Sequence, residues 1–171
     1  MTIKKLITDA MMMLGIDVGD KVNRKILLRC ANLALWDVSS NFREFVDVQT
    51  FDVVNKRIEY SQFKRQIVRP IRVIDATASE VKFEVYVGCI GVPDGRMTVT
   101  YAYLPQFTNM SDKIALVDGA INAVALFYGM LSNYASISGL TNEAAEYNAK
   151  FEKQVAQGVR CGRMRVLPLV S

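Results

Sequence analysis

Phe45-Val-Asp-Val-Gln-Thr-Phe-Asp-Val53 is the stretch where this chain changes its period. Before it, apolar residues recur every three or four positions, as on one face of a helix; from Phe45 onward they alternate, as in a strand. The helical period returns after Pro105. Helices, then strands, then helices again predict an α+β protein whose β region is an insertion.

Upstream of the switch, a helix is expected over residues 2–14. Thr2 is placed to cap its start, and Gly15 stands where a left-handed stop is wanted. Ile3, Leu6, Ile7, Ala10, Met11 and Leu14 form its apolar stripe. A second helix is expected over 20–39, with Lys21, Arg24, Lys25 and Arg29 in its opening turns, at the end of the helix dipole that disfavours cations. Downstream, strands are expected at Arg57–Tyr60, Gln66–Ala76, Glu80–Gly88 and Arg96–Leu104. Glu80–Gly88 has Val81, Phe83, Val85 and Val87 on one face, and Arg96–Leu104 has Met97, Val99, Tyr101 and Tyr103. Pro93-Asp-Gly95 marks a turn, and Pro70 must lie at a sheet edge or irregularity because it lacks an N–H.

A third helix is expected over 111–137 with Ser111 as cap, and a fourth over 141–157 with Thr141 as cap. Gly119, Ala120, Ala123, Ala125 and Gly129 along the third allow another helix to come close. Neither helix pair can bury its stripe alone, so both chain ends should join in one small bundle, with the antiparallel β region 45–104 inserted between the second and third helices. Residues 1–157 then form a single domain. The remainder, Gly158-Val-Arg-Cys-Gly-Arg-Met-Arg-Val-Leu-Pro-Leu-Val-Ser171, has three arginines, no acid and an apolar end. It reads as an extended tail that gains its shape on a partner.

Composition narrows the chemistry. Of 171 residues, 51% are hydrophobic and 22% charged, values of an ordinary globular domain, and the net charge is +4. Histidine is absent, which removes the commonest neutral-pH acid–base group and metal ligand. Cys30, Cys89 and Cys161 are far apart and form no CxxC pair, so neither a metal site nor a redox dithiol is expected. No phosphate-binding or hydrolase motif is present, and no catalytic residue or cofactor is assigned. Met1-Thr-Ile-Lys-Lys-Leu6 lacks the apolar core of a secretory signal. Ile114–Ala135 is long enough to span a bilayer, but Asp118, Asn122, Ser132 and Asn133 interrupt it, and a buried helix is expected instead.

Lys56, Arg57, Lys64, Arg65, Arg69 and Arg72 crowd into one stretch whose sole acid is Glu59. Phosphate attraction by such a stretch would carry no sequence information. A solvated strand face explains the same residues.

The layout resembles the head-to-tail adaptor (connector, head-completion) proteins of tailed bacteriophages. The resemblance rests on Ile7-Thr-Asp-Ala-Met-Met-Met-Leu-Gly15, on Thr98-Val-Thr-Tyr-Ala-Tyr-Leu-Pro105 leading into the small-residue helix Ala115 to Tyr128, and on Glu143-Ala-Ala-Glu-Tyr-Asn-Ala-Lys-Phe-Glu152 before the tail. It implies a non-enzymatic virion protein at the neck, assembled in the host bacterial cytoplasm. Subunits would form a homo-oligomeric ring, usually dodecameric, beneath the portal and around the DNA exit channel. The tail would dock on the portal protein through Arg160, Arg163, Arg165, Val166, Leu167 and Leu169. The β region would pack on neighbours or on tail or nozzle proteins, and Lys64, Arg65 and Arg69 would line the channel in non-specific contact with double-stranded DNA. No metal, cofactor or membrane partner is implied. Two other readings stay open: a small basic DNA-binding or packaging accessory protein, and a membrane-associated protein that uses the third helix.

Overall fold

The computed structural model describes residues 1–42, 44–114 and 122–163, the last five by backbone alone. The fold is α+β, and it divides into two compact units, one from Met1–Arg43 and Gln106–Ser171, the other Glu44–Pro105. The second unit extends one residue beyond the expected insertion, residues 45–104, at each end.

The helical unit holds α1 (Ile3–Met13), α2 (Lys21–Asn41), α3 (Ala123–Ile137) and α4 (Thr141–Arg163). Thr2 caps α1 by accepting from the Lys5 N–H at 3.4 Å. Gly15 at φ 67° reverses the chain, and the Ile16 N–H closes the end onto the Met11 carbonyl at 2.9 Å. Asp20 caps α2, its Oδ1 accepting from Val22 and Asn23 N–H groups at 2.8 and 3.1 Å. The predicted stripe of α1 is buried at Ile3, Leu6, Ile7, Ala10 and Met11. From α2, Leu27, Cys30, Ala31, Ala34, Leu35 and Val38 are buried, and from α3 Leu126, Met130 and Leu131.

Three boundaries differ from expectation. Ser111 does not open a helix: Asp112 Oδ2 accepts from the Thr108 and Asn109 N–H groups at 2.8 and 2.9 Å, and Lys113 pairs with Thr2 in an antiparallel bridge. That local carboxylate turn competes with a helix start. The cap of α3 is Asn122, whose Oδ1 accepts from the Ala125 N–H at 2.7 Å. Thr141 is already helical, since the Ala144 N–H bonds to the Leu140 carbonyl at 2.9 Å. At the other end α4 does not stop at 157 but runs to Arg163, so the first six residues of the expected extended tail are helical.

The helices α2, α3 and α4 meet closely at Gly129. A methyl group there would stand 2.7 Å from Ala34 Cβ and 2.9 Å from the Phe151 ring, so only glycine fits without a shift. Polar ties join the same helices: Ser132 donates to the Ala144 carbonyl at 3.0 Å, and the Tyr134 hydroxyl donates to Asn23 Oδ1 at 2.8 Å.

The β unit contains two three-stranded antiparallel sheets. The larger, in order β1-β6-β3, uses β1 (Phe45–Val53), β6 (Gly95–Tyr103) and β3 (Ile67–Asp75). β1 and β6 pair one to one from Phe45↔Tyr103 to Val53↔Gly95. β3 is an edge strand, and its register shifts between Ile67 and Arg69 and between Pro70 and Arg72, which is where Pro70 is tolerated. Met97, Val99, Tyr101 and Tyr103 of β6 are all buried, as their alternation predicts.

The smaller sheet, in order β2-β5-β4, uses β2 (Arg57–Glu59), β5 (Cys89–Gly91) and β4 (Glu84–Tyr86). The strand expected over Glu80–Gly88 is thus reduced to three residues. Its valine face is not a dry one, since Val85 is 60% exposed and Val87 lies fully in solvent. The chain turns back through Gly88 at φ 86° so that Tyr86 pairs with Cys89, which leaves too short a ladder to carry a buried face. Phe63, in the connection from β2 to β3, packs on Tyr101 and Phe51 of the larger sheet with ring centroids 4.7 and 4.8 Å apart.

Candidate functional site

The basic stretch runs from the turn after β1, through β2 and a 3-10 turn at Tyr60–Gln62, into β3. Gln49 on β1 fastens the middle of it: its Nε2 donates to the Gln62 carbonyl at 3.0 Å, and its Oε1 accepts from the Lys64 N–H at 2.9 Å. Two of the arginines, Arg65 and Arg69, lie beside acids that are remote in sequence. Arg69 makes a two-pronged contact with Glu44, Nε to Oε1 at 2.9 Å and a terminal nitrogen to Oε2 at 2.8 Å. The hydrogen bond and charge of Glu44 push the Arg69 pKa above its ordinary value.

Arg65 Nε lies 3.0 Å from Asp47 Oδ2, and its guanidinium sits 4.4 Å above the centre of the Tyr103 ring. The same Asp47 oxygen accepts from the Tyr101 hydroxyl at 3.4 Å. Desolvation, followed by the Asp47 charge, raises the Tyr101 pKa. Arg57 pairs with Glu59 at 3.1 Å and Arg72 with Glu80 at 3.6 Å. Among the described residues, Lys56 and Lys64 form no ion pair.

This arrangement changes the electrostatic reading. Counted along the chain, six cations face one acid; counted in space, Glu44, Asp47 and Glu80 join Glu59 on the same surface. Of the three residues assigned to DNA contact, Arg65 and Arg69 already have carboxylate partners, and Lys64 has none among the described residues. These pairs are largely exposed, so each weakens the outward positive field more than it stabilises the fold. The signal that could have located Asp47 was its place in the alternation of β1, on the side that faces the aromatic cluster. Glu44 lies one residue before that strand and carried no such signal.

Of the six residues assigned to portal docking, Arg160 and Arg163 fall on the last turns of α4, where only backbone is described. Arg165, Val166, Leu167 and Leu169 lie outside the described residues.

Nucleophile chemistry finds little purchase in Cys30. It is fully buried in α2, and desolvation pushes its thiol up to about 11 from an ordinary 9.0, with Arg29 opposing the rise only in part. Among the described residues no group of three histidine, cysteine, aspartate or glutamate side chains could hold a metal ion, and no helix is long and apolar enough to cross a membrane.

A concave region was not anticipated. A hollow of about 680 Å³ opens on the smaller sheet, lined by Lys56, Arg57, Lys82, Phe83, Tyr86 and Cys89 among others. Tyr86 donates to Glu84, which raises the phenol's pKa, and its ring lies against Gly91. The sequence signal for this site was present in part, because Asn55-Lys56 between two alternating runs is a turn pattern that puts a lysine at a hairpin tip. No protein-family model and no curated protein matches the chain.

Proposed function

We propose that the chain is a structural virion protein that forms a ring beneath a phage portal and joins the head to the tail. The observation that supports this best is the element order. Two helices from each chain end make one unit, a β unit is inserted between them, and the closing helix leads into an arginine-rich, apolar segment. A subunit of this plan can hold its neighbours through rigid units while its last residues reach another protein. Repetition around a ring then multiplies modest contacts. The absence of histidine in the sequence fits a role in which no proton transfer is needed.

The helical extent of α4 sets the right test. Removing everything after Arg163 leaves α4 whole and deletes Arg165, Val166, Leu167 and Leu169. We expect the truncated protein to fold and to lose retention on purified portal rings. Unchanged retention would overturn the docking assignment.

Contact with double-stranded DNA by Lys64, Arg65 and Arg69 is the second part of the proposal, and the ion pairs rank the three residues. Lys64→Gln should reduce the slope of log affinity against log salt by about one, as expected for one lost phosphate contact. Arg69→Gln should reduce it less, because Glu44 already neutralises that charge. The alternative, a small DNA-binding or packaging accessory protein, predicts instead that duplex retention persists without any portal and collapses when the three residues are neutralised together.

A further inference from the structure

We infer that the hollow on the smaller sheet binds a nucleotide, with Tyr86 as the stacking surface for its base and Lys56, Arg57 and Lys82 around its phosphate. Three independent features of the site converge on this ligand class, and none depends on the adaptor reading.

The first is Lys56. Asn55 and Lys56 both have positive φ, 65° and 55°, and Val54 bridges to Arg57 across them, so they are the central residues of a tight hairpin turn. The second central position of such a turn favours glycine, because a side chain in the left-handed region meets its own backbone. A lysine stands there instead. Its backbone is fixed from both sides, with its N–H donating to Asp94 Oδ1 at 2.7 Å and its carbonyl accepting from Val92 at 3.0 Å. Strain of this kind is held where the surroundings over-determine the backbone, and it clusters at ligand clamps.

The second is Tyr86. It is 52% exposed, yet its ring is held in place. One side rests on Gly91, where an added Cβ would come within 2.9 Å of the ring, and the hydroxyl donates to Glu84. An exposed aromatic ring held in this way loses little entropy when a flat ligand stacks on it.

The third is charge. Lys56 and Lys82 have no ion pair among the described residues, and Arg57 has one exposed partner, Glu59. Glu84 also lines the hollow and accepts from the Tyr86 hydroxyl; its one negative charge is outnumbered by the three cations of the lining. A hollow of about 680 Å³ lies within the roughly 300–1,000 Å³ of small-ligand sites. A flat ring joined to a phosphate matches a lining that holds one exposed aromatic ring and three cations. The ligand is either a free nucleotide or a base of a single strand. A duplex keeps its bases stacked and cannot use the ring.

The test uses the full chain with four probes: 2-aminopurine ribonucleoside monophosphate, a ten-residue oligothymidylate, a duplex of equal length, and inorganic phosphate. Stacking is read as quenching of the 2-aminopurine, and occupancy as protection of the half-buried lining residue Cys89 from alkylation measured by peptide mass. We expect the mononucleotide or the single strand to protect Cys89, and which of them does so identifies the source. Tyr86→Leu should weaken binding about tenfold, in the range of one lost base stack. Lys56→Gly should weaken it by a similar factor while raising the thermal midpoint, since glycine suits the turn. That pairing of opposite effects separates a lost ligand contact from a damaged fold. The inference is overturned if neither nucleotide probe binds, if only the duplex binds, if inorganic phosphate protects Cys89 as well as the nucleotides do, or if both variants keep full affinity.

Discussion

The helical unit packs closely over a residue without a side chain, and the β unit packs its aromatic rings round a phenylalanine. Gly129 lets α2, α3 and α4 approach until Ala34 and Phe151 close over it. Phe63 instead fills a space, with Tyr101, Phe51 and Tyr60 around it at centroid distances of 4.7, 4.8 and 6.3 Å. One core is limited by how near backbones can come, the other by how much volume a loop residue supplies. The two should therefore fail in opposite directions, the first when atoms are added and the second when they are removed.

The largest expected effect is in the β unit. Phe63→Ala removes a ring that is 8% exposed and should cost about 3–5 kcal/mol. Trp36, the chain's only tryptophan, lies on α2 in the helical unit. If the units unfold separately, hydrogen exchange in β1 and β6 should accelerate in this variant while the tryptophan transition in urea stays in place. A tryptophan transition that moves by the full amount would show one cooperative fold and would break the comparison.

Next in size is Gly129→Ala. Alanine gains about 1 kcal/mol of helix propensity over glycine. The methyl group, however, enters space already held by Ala34 and Phe151, an overpacking that costs about 1–3 kcal/mol. Sterics should win, and the Trp36 transition should fall to lower urea. Adding Ala34→Gly removes the 2.7 Å contact and should restore part of the loss, though the ring of Phe151 remains. A gain in stability from the single substitution would mean that the helices are free to move apart.

The two units also differed in how well the sequence revealed them. Stripes such as Ile3, Leu6, Ile7, Ala10 and Met11 repeat over several turns, and β1 and β6 are nine residues each with long alternation, so both kinds of element were legible. Short elements were not. Val81, Phe83, Val85 and Val87 alternate cleanly, yet a turn at Gly88 limits that strand to Glu84–Tyr86, because alternation describes a side-chain pattern and says nothing of a partner's length. Ser111 failed as a cap for a local reason: its neighbour Asp112 accepts from the Thr108 and Asn109 N–H groups, and the chain there forms a turn and a bridge to Thr2. The basic stretch was legible as charge but not as a site, since the acids that answer it come from residues 44, 47 and 80.

Those ion pairs give the smallest effect and the finest test of how the β unit is held. Arg72 meets Glu80 at 3.6 Å with side chains 54% and 68% exposed, so Arg72→Gln should change stability by less than about 0.5 kcal/mol, and salt should erase even that. Arg65 stands closer to its acid, at 3.0 Å, and has more around it. Its guanidinium covers the Tyr103 ring, and Asp47 also receives the Tyr101 hydroxyl, so the pair is tied to the buried face of β6. Arg65→Gln should therefore cost more than Arg72→Gln, about 1 kcal/mol, and most of that difference should survive in high salt, because ring contact is screened far less than an exposed charge pair. Measured by urea denaturation at low and high salt, equal losses for the two substitutions would show that Arg65 acts only as a surface charge. Phe63 and its neighbours would then hold the sheet without help from the cation above them.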